Sequence, residues 1–339
     1  MALDGAAFSP KEFGLAIQTE SNIGTKVTGG MTRVNVDSVE MPGFNLTQVM
    51  EARSGSSGRV ADADDVFVSD KGTMKEISFS GICDDTVLPI LVQNVCGSAA
   101  SSEITTIAAA YTPDELQTGA SSAVQKTFTL CVIAPTTNDG SSDTTRNMVF
   151  PGCVLTNLTI TGAMDDESGR LKFSATAQSG YAASYDHAAP TISAAYSSTF
   201  YSLATLSGVK TMAGAANSVI QSFSLNIENP ASFVGQNDAN GNPDAIVRAV
   251  PEIVVTMDAT VKYDDNTAGY MAAMKAGTTT LDTLLCDQAT LANGSTTFGF
   301  QADNCLITNV AFNEANAMML DVSSKFLASG STAVFAIHT

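Results

Sequence analysis

Residues Ile77–Gly97 read ISFSGICDDTVLPILVQNVCG, and residues Met257–Gly277 read MDATVKYDDNTAGYMAAMKAG. At a constant offset of 180 residues, the acidic pair Asp84-Asp85 falls on the acidic pair Asp264-Asp265. Apolar and polar residues alternate in the same phase before both pairs. A slip of one residue would exchange the two faces of a strand, so this agreement indicates one strand that occurs twice.

A short helix is predicted after each acidic pair. Thr86 and Asn266 stand where a side chain can cap the first turn, and aspartates before them favour the positive end of the helix dipole. Pro89 fits a first turn, and Gly97 and Gly277 fit the left-handed residue that ends a helix. Capping accounts for these aspartates; the alternative is that they are catalytic groups or metal ligands.

A second pair of matching segments follows the first. CVLTNL at Cys153–Leu158 corresponds to CLITNV at Cys305–Val310. Each continues as a strand, a turn and a returning strand, the returns being 170–177 and 318–325. Alternating apolar residues in both returns predict a β-hairpin in each half.

The repeats divide the chain into two tandem copies. Each copy is predicted to run strand, strand, long loop, strand, helix, strand and hairpin. The first domain is 1–185, with surface insertions near 98–123 and 135–146, and the second is 186–339. The predicted fold is therefore mainly β, with two β-sandwich or barrel domains, each with one short flanking α-helix and a long loop.

Composition supports an all-β chain with little affinity for nucleic acid. The 339 residues include 34 acidic and 16 basic side chains, a formal charge of −18, with no Trp and 26 Gly. Specific nucleic-acid binding needs cations that displace phosphate counterions, and this chain is short of them. A negative surface would instead let DNA pass without adhering, although solubility alone also explains the charge.

The sequence predicts no catalytic residues, no metal site and no cofactor. The six cysteines are widely spaced and lack a C-x-x-C motif, and the chain has two histidines. No segment has the roughly 20 apolar residues of a membrane span. We expect no signal peptide at the N-terminus, and folding in a reducing cytoplasm with most of the cysteines buried.

The order of elements, and the opening FGLAIQTE at Phe13–Glu20 followed by Ile23–Thr25, resemble phage tail tube proteins. The resemblance implies rings in which strands of neighbouring subunits form one inner barrel around a DNA channel. It also implies six domains per ring and a long loop that reaches the next ring. Because this chain carries two copies, three chains would close a ring of approximate sixfold symmetry.

The resemblance also suggests two sets of functional residues. Residues of the loops at 47–72 and 229–245 are candidates for contacts between rings: Arg53, Arg59, Asp62, Asp64, Asp65, Asn237, Asp238, Asn240 and Asp244. Polar positions of the hairpin strands are candidates for the lumen: Asn157, Thr159, Lys172, Ser174, Thr176, Asn309, Asp321 and Ser323.

The expected location is the virion tail, after assembly in the host cytoplasm. The expected partners are other copies of the chain and tail proteins such as the terminator, tape measure and baseplate, with DNA only as non-specific cargo in the lumen and no membrane. The alternatives are another self-assembling tube, a surface-layer protein or a soluble β-sandwich binding module.

Overall fold

A computed structural model describes residues 12–40, 47–50, 66–69, 74–97, 104–109, 115–117, 119–121, 127–135, 146–194, 196–235, 241–248, 252–314 and 318–339. Within these residues the chain is mainly β, with 22 strands and two α-helices, which confirms the predicted fold class.

The strands up to the middle of the chain are β1 Gly14–Thr19, β2 Met31–Val34, β3 Val36–Val39, β4 Thr47–Met50, β5 Val66–Ser69, β6 Lys75–Ile82, β7 Ile104–Ile107, β8 Glu115–Gln117, β9 Phe128–Ile133, β10 Asn147–Ala163, β11 Lys172–Ser179, β12 Ser184–His187 and β13 Ile192–Ala194. The later strands are β14 Val209–Thr211, β15 Ile220–Glu228, β16 Ser232–Val234, β17 Ala245–Val247, β18 Val254–Lys262, β19 Leu281–Cys286, β20 Gly299–Asn313, β21 Met319–Phe326 and β22 Phe335–His338. The helices are α1 Leu88–Cys96 and α2 Tyr270–Ala276.

One continuous antiparallel sheet, here called the central sheet, runs through both halves of the chain. Its strand order is β3-β6-β11-β10-β15-β18-β21-β20. The alternating sequence of these strands puts apolar side chains on one face, where they are buried, and polar side chains on the other. The central sheet therefore has an apolar face and a polar face.

The two longest strands each belong to two sheets. The first part of β10 pairs with β9, which pairs with β1, and the first part of β20 pairs with β19, which pairs with β14. Apolar residues from these outer strands join the apolar face of the central sheet in one buried cluster. Helices α1 and α2 lie against β10 and β20 respectively.

Irregularities of the central sheet recur at corresponding places in the two halves. A β-bulge falls at Thr156 in β10 and at Thr308 in β20. The hydroxyl of each threonine donates to a carbonyl of the returning strand, at 3.3 Å and 3.1 Å. A second register shift falls at Asp37 beside β6 and at Gln221 beside β18. Because bulges are specific features of a sheet, their recurrence shows that corresponding strands pair with the same register in the two halves.

The turns before the helices differ from the prediction in their capping residue. Asp84 Oδ1 accepts the backbone N–H groups two and three residues later, at 3.0 Å and 2.8 Å. Asp264 Oδ1 does the same at 3.0 Å and 3.3 Å. The first aspartate of each pair therefore caps the turn, not Thr86 or Asn266, because a short carboxylate reaches the amides that follow it. The predicted left-handed glycine ends both helices.

The insertion predicted near 98–123 is partly internal. Its strand β7 pairs with the last strand, β22, and its strand β8 pairs with β17. Ile107 and Leu116 are each 1% exposed. With these apolar side chains buried, β7 and β8 extend sheets of the second half instead of lying in a surface loop. Most of the insertion near 135–146 lies outside the described residues.

The first half contains a buried carboxylate, Glu20, that accepts four hydrogen bonds. Glu20 accepts hydrogen bonds from the hydroxyls of Thr127 and of Thr129, the latter at 2.7 Å, and from the backbone N–H groups of Gly24 and Gly152, both at 2.8 Å. Loss of solvent raises the pKa of Glu20, and the four hydrogen bonds oppose that rise. The carboxylate thus ties together three separate segments of the chain.

All six cysteines are free thiols and buried, where the sequence predicted burial for most of them. Burial raises the pKa of Cys96 and Cys131 to about 12 and that of Cys305 to about 11. These thiols are therefore un-ionised at neutral pH and pack as small apolar groups. No helix in the described part of the chain is long and apolar enough to cross a membrane.

Candidate assembly surface

The polar face of the central sheet carries every residue predicted to line a lumen. In β10 and β11, Asn157 lies opposite Thr176 and Thr159 lies opposite Ser174, with Lys172 at the end of the same row. In β20 and β21, Asn309 lies opposite Ser323, and Asp321 is the next polar position of β21. The structure therefore brings all eight residues onto one surface: Asn157, Thr159, Lys172, Ser174, Thr176, Asn309, Asp321 and Ser323.

Three strands that sequence reasoning left out supply half of this surface. Their polar residues on this face are Glu76, Ser78 and Ser80 in β6, Ser222, Ser224, Asn226 and Glu228 in β15, and Thr256, Asp258, Thr260 and Lys262 in β18. The signal was present in the sequence as strict alternation of polar and apolar residues from Ser222 to Glu228 of β15. What the sequence lacked was any sign that β15 lies beside β10.

The joint between the halves is the pairing of β10 with β15. Asn157 Nδ2 and Thr159 Oγ1 both donate to Asn226 Oδ1 at 2.9 Å, and Asn226 Nδ2 donates to Glu228 Oε1 at 2.9 Å. Seven consecutive residue pairs, from Asn157–Glu228 to Ala163–Ser222, continue the ladder. Backbone and side-chain hydrogen bonds together join the halves without an interruption in the sheet.

The charges of the polar face nearly balance. The central-sheet strands β6, β11, β10, β15, β18 and β21 place four carboxylates on this face, Glu76, Glu228, Asp258 and Asp321. They also place three ammonium groups there, Lys172, Lys262 and Lys325. Lys172 donates to Asp166 at 2.9 Å, which raises the lysine pKa. Lys325 lies 2.9 Å from Glu252, and its hydrogen bond lowers the pKa of that carboxyl. The surface is polar with a small excess of acid.

The two outermost strands of the central sheet present edges. Strand β20 pairs with β21 up to Asn313, and from Leu306 to Phe312 no strand in the described ranges pairs with its other edge. At the opposite end, β3 pairs with β6, again with no described strand on its outer side. Edges of this kind are templates for pairing with another chain.

Burial differs sharply between the joined edge and the open one. Ile160 of β10, the strand whose edge is paired with β15, is 0% exposed. Phe312 of β20 lies opposite Leu320 as Ile160 lies opposite Phe173, yet Phe312 is 51% exposed. Burying an aromatic side chain of this size stabilises a contact by about 2 kcal/mol. The open edge of β20 therefore has both backbone groups and apolar surface to offer a partner.

A family model described as phage tail tube protein matches residues 14–325. The chain belongs to the phage tail tube protein family. No curated protein matches the sequence. The match covers both halves and the joint between them, so the tail tube protein is a structural subunit of the tail tube and a component of the virion tail.

The described parts of the two long loop regions of the tail tube protein form small sheets that are separate from the central sheet. Strands β4 and β5 form a hairpin in which Val66, Phe67 and Val68 are exposed. Strands β16, β17 and β8 form a three-stranded sheet, and Asp244 lies at its β16–β17 turn, where its N–H donates to Val234 O at 2.9 Å. The other loop candidates lie outside the described residues: Arg53, Arg59, Asp62, Asp64, Asp65, Asn237, Asp238 and Asn240.

Metal-ligating side chains do not cluster in the described part of the tail tube protein. No group of three or more His, Cys, Asp or Glu side chains there is placed to hold a metal ion. The polar face has a hollow of about 470 Å³, which lies open over β15, β18 and β21. Its lining combines hydroxyl, amide and carboxylate side chains of that face with Phe223, Ala259 and Val322. The described surface therefore offers sheet edges and a polar face as its candidate functional features.

Proposed function

We propose that three copies of the tail tube protein close a ring in which six similar domains, two from each chain, surround a channel for DNA. The observation that carries this proposal is the pairing of β10 with β15, which joins two halves of like register into one sheet. Each chain would then contain one finished joint of the ring and half of the next joint at either end.

Several features support treating the halves as two copies, 1–185 and 186–339. They share the bulges at Thr156 and Thr308, the aspartate-capped turns and the glycine-ended helices. In each half, a strand of the outer sheet precedes the long bent strand and pairs with it. Such agreement across independent details is what duplication of one domain leaves behind.

The proposed joint between chains copies the joint within the chain. Met164 N donates to Gln221 O at 2.9 Å, and alternate residues of a strand direct their backbone groups to the same side. Leu158 and Ile160 therefore face β15, and the residues at their places in β20, Val310 and Phe312, direct their groups to the open edge. The strand at the place of β15 is β3, so β20 of one copy would pair with β3 of the next. Head-to-tail contacts of this kind generate rings.

The polar face supplies the proposed channel wall. Its hydroxyl, amide and carboxylate groups, with Lys172, Lys262 and Lys325 as the lysines on the described part of this face, give DNA phosphates little to bind. DNA is thus non-specific cargo, and the barrier to its passage is low because the wall is smooth and slightly acidic. The long loops, with Asp244 at the turn of the second, would contact the next ring. Terminator, tape measure and baseplate proteins would meet the ends of a tube assembled in the host cytoplasm.

Native mass spectrometry and negative-stain images of the purified protein test the stoichiometry. We expect rings or tubes whose unit is three chains, with sixfold appearance in end views. Rings of six chains would contradict the trimeric arrangement, and monomers at every concentration would contradict assembly itself.

A proline on the open edge tests the joint. Val310→Pro removes one outward-facing N–H group, and an edge strand tolerates proline where its N–H faces outward. The matched control, Val310→Ala, shortens the same side chain and keeps the N–H. We expect both variants to fold and only Val310→Pro to lose ring formation; equal assembly of the two would exclude β20 as the joining edge.

A further inference from the structure

Four large apolar side chains form an exposed cluster, here called the apolar patch, at one end of the second half. Val219, Tyr263, Phe312 and Met318 are each between 41% and 54% exposed. The Tyr263 and Phe312 rings meet edge to face with their centres 5.8 Å apart. Tyr263 N donates to Met318 O at 3.1 Å, and Lys262 N donates to Val219 O at 2.9 Å, so the four residues are neighbours.

The same place in the first half is covered. Cys83 N donates to Leu171 O at 3.0 Å, the bond that Tyr263 and Met318 make in the second half. Cys83 and Leu171, like Ile160 at the place of Phe312, are 0% exposed. The two halves therefore share the framework of this surface and differ in whether something lies on it.

Residues 199–206, at the start of the second half, are what covers the first half. Tyr201 N donates to Cys83 O at 3.2 Å, and Leu171 N donates to Tyr201 O at 2.9 Å. Leu203, fully buried, continues this contact, since its N–H donates to Gly169 O at 2.7 Å. The segment thus lies along the end of the sheet like a short added strand and shields the apolar side chains beneath it.

The apolar patch has two backbone groups available for hydrogen bonding, at the place that corresponds to the binding position of Tyr201 in the first half. The N–H of Met318 and the C=O of Tyr263 have no partner in the part of the chain that the structure describes. In the first half, Tyr201 satisfies the equivalent groups of Leu171 and Cys83. An exposed apolar cluster beside an unfilled pair of backbone groups suits an extended peptide segment that adds like a strand.

The strand pairing in the outer sheets indicates which segment of the chain would occupy the apolar patch. Strand β14, which follows the covering residues 199–206, pairs with β19, and β1 pairs with β9 in the same position of the first half. In chain order, residues 1–11 precede β1 as the covering segment precedes β14. Its sequence, MALDGAAFSPK, has no net charge and offers Leu3 and Phe8 as apolar anchors.

We propose that residues 1–11 of one copy bind to the apolar patch of the neighbouring copy. This contact, here called the clamp, would add to the proposed pairing of β20 with β3 at the same joint of the ring. This inference rests on the proposed ring, because it places both contacts, β20 with β3 and the patch with the N-terminal segment, at the same joint. Within a chain, residues 199–206 and the β10–β15 ladder already combine in this way.

Cross-linking between two single-cysteine variants tests the clamp. Phe8→Cys and Phe312→Cys chains are mixed before assembly and treated with a short bifunctional maleimide; the six native thiols are buried and do not compete. We expect a covalent two-chain product in the mixture and little in either variant alone. Phe8→Cys mixed with Met271→Cys, whose side chain is exposed on α2 and is not one of the four patch residues, is the control pair and should give at least tenfold less product.

Deletion of residues 2–11 gives a second measurement. We expect the shortened chain to keep its unfolding midpoint and to need at least a tenfold higher concentration to form rings. Normal rings from the deleted chain, together with no cross-link, would overturn the clamp while the ring proposal stands. A cross-link confined within single chains of a Phe8→Cys, Phe312→Cys double variant would also overturn it, and absence of rings from the unaltered protein would overturn both proposals.

Discussion

Asn157 of β10 and Asn226 of β15 are hydrogen-bonded at 2.9 Å across the line where the two halves of the chain meet. The same amide oxygen of Asn226 accepts the Thr159 hydroxyl, also at 2.9 Å. The two halves are therefore joined by side chains of the polar face as well as by the backbone ladder. If the ring forms as proposed, this contact is the template for the contact between chains.

Removal of the shared acceptor should loosen the joint. Asn226→Ala leaves Asn157 and Thr159 without their partner, and we expect a loss of about 1–2 kcal/mol in the free energy of unfolding, since both groups are only partly buried. Urea unfolding measures the loss. Thr161→Ala is the control on the same face, because its hydroxyl is exposed and makes a bond of 3.5 Å; an equal effect would show that the joint is not special.

The two capping aspartates should differ in strength. Asp84 is buried and accepts from Asn35, Thr86 and Val87, whereas Asp264 accepts two amides in a more exposed turn. We expect Asp84→Ala to cost about 3 kcal/mol and Asp264→Ala about 1 kcal/mol, measured by thermal unfolding. A larger loss for Asp264→Ala would contradict the difference in burial as its cause.

Two glycines with the same backbone conformation provide a matched pair. Gly152 and Gly277 both have φ of 63°, but a Cβ on Gly152 would overlap the Tyr181 ring, and one on Gly277 would meet open space. Gly277→Ala should cost about 1 kcal/mol from the left-handed conformation alone. Gly152→Ala should cost at least about 3 kcal/mol, because overpacking adds to that strain. Equal unfolding midpoints would contradict this.

Glu20 should make the stability of the first half depend on pH. Burial raises its pKa above the ordinary value of 4.5, so the folded chain holds this proton more tightly than the unfolded chain. Its contribution is complete below that pH and is lost as pH rises through the folded-state pKa.

Comparison with Glu20→Gln isolates this contribution. The variant places an amide N–H against donors at Gly24 or Gly152, and this should cost about 1–3 kcal/mol. The stability advantage of the unaltered protein should shrink as pH rises above 4.5. Urea unfolding of both proteins across that range measures it, and an advantage that grows with pH would show the opposite sign.

Charge reversal on the polar face tests the channel. Asp258 is exposed on this face, and Asp258→Lys would place three added ammonium groups in each trimeric ring. We expect tubes to form normally and DNA ejection from the virion to slow by at least about tenfold, because phosphates would be retained. Asp282→Lys, exposed on β19 in the outer sheet, is the control and should leave ejection unchanged; equal slowing would show that general charge, not the channel wall, is responsible.

Much of the site could be predicted from the hairpins alone. Alternation along 170–177 and the repeated CVLTNL and CLITNV segments indicated which residues of β10, β11, β20 and β21 share the polar face. The contribution of β15 was missed because alternation shows that a strand has two faces and not which strand lies beside it. The internal position of β7 and β8 was missed for the same reason, since their partners are far away in sequence.

The sequence by itself determined that the chain is mainly β, where its hairpins and helix ends fall, and that two stretches repeat in phase. These features depend on residues close together in the chain, whose side-chain pattern and turn chemistry are visible in order. Only the tertiary structure decided that β10 pairs with β15, that Phe312 is left exposed while Ile160 is covered, and that Glu20 is buried among four donors. Backbone hydrogen bonds between distant strands are the same for every side chain, so the pairing of edges leaves no mark in the sequence.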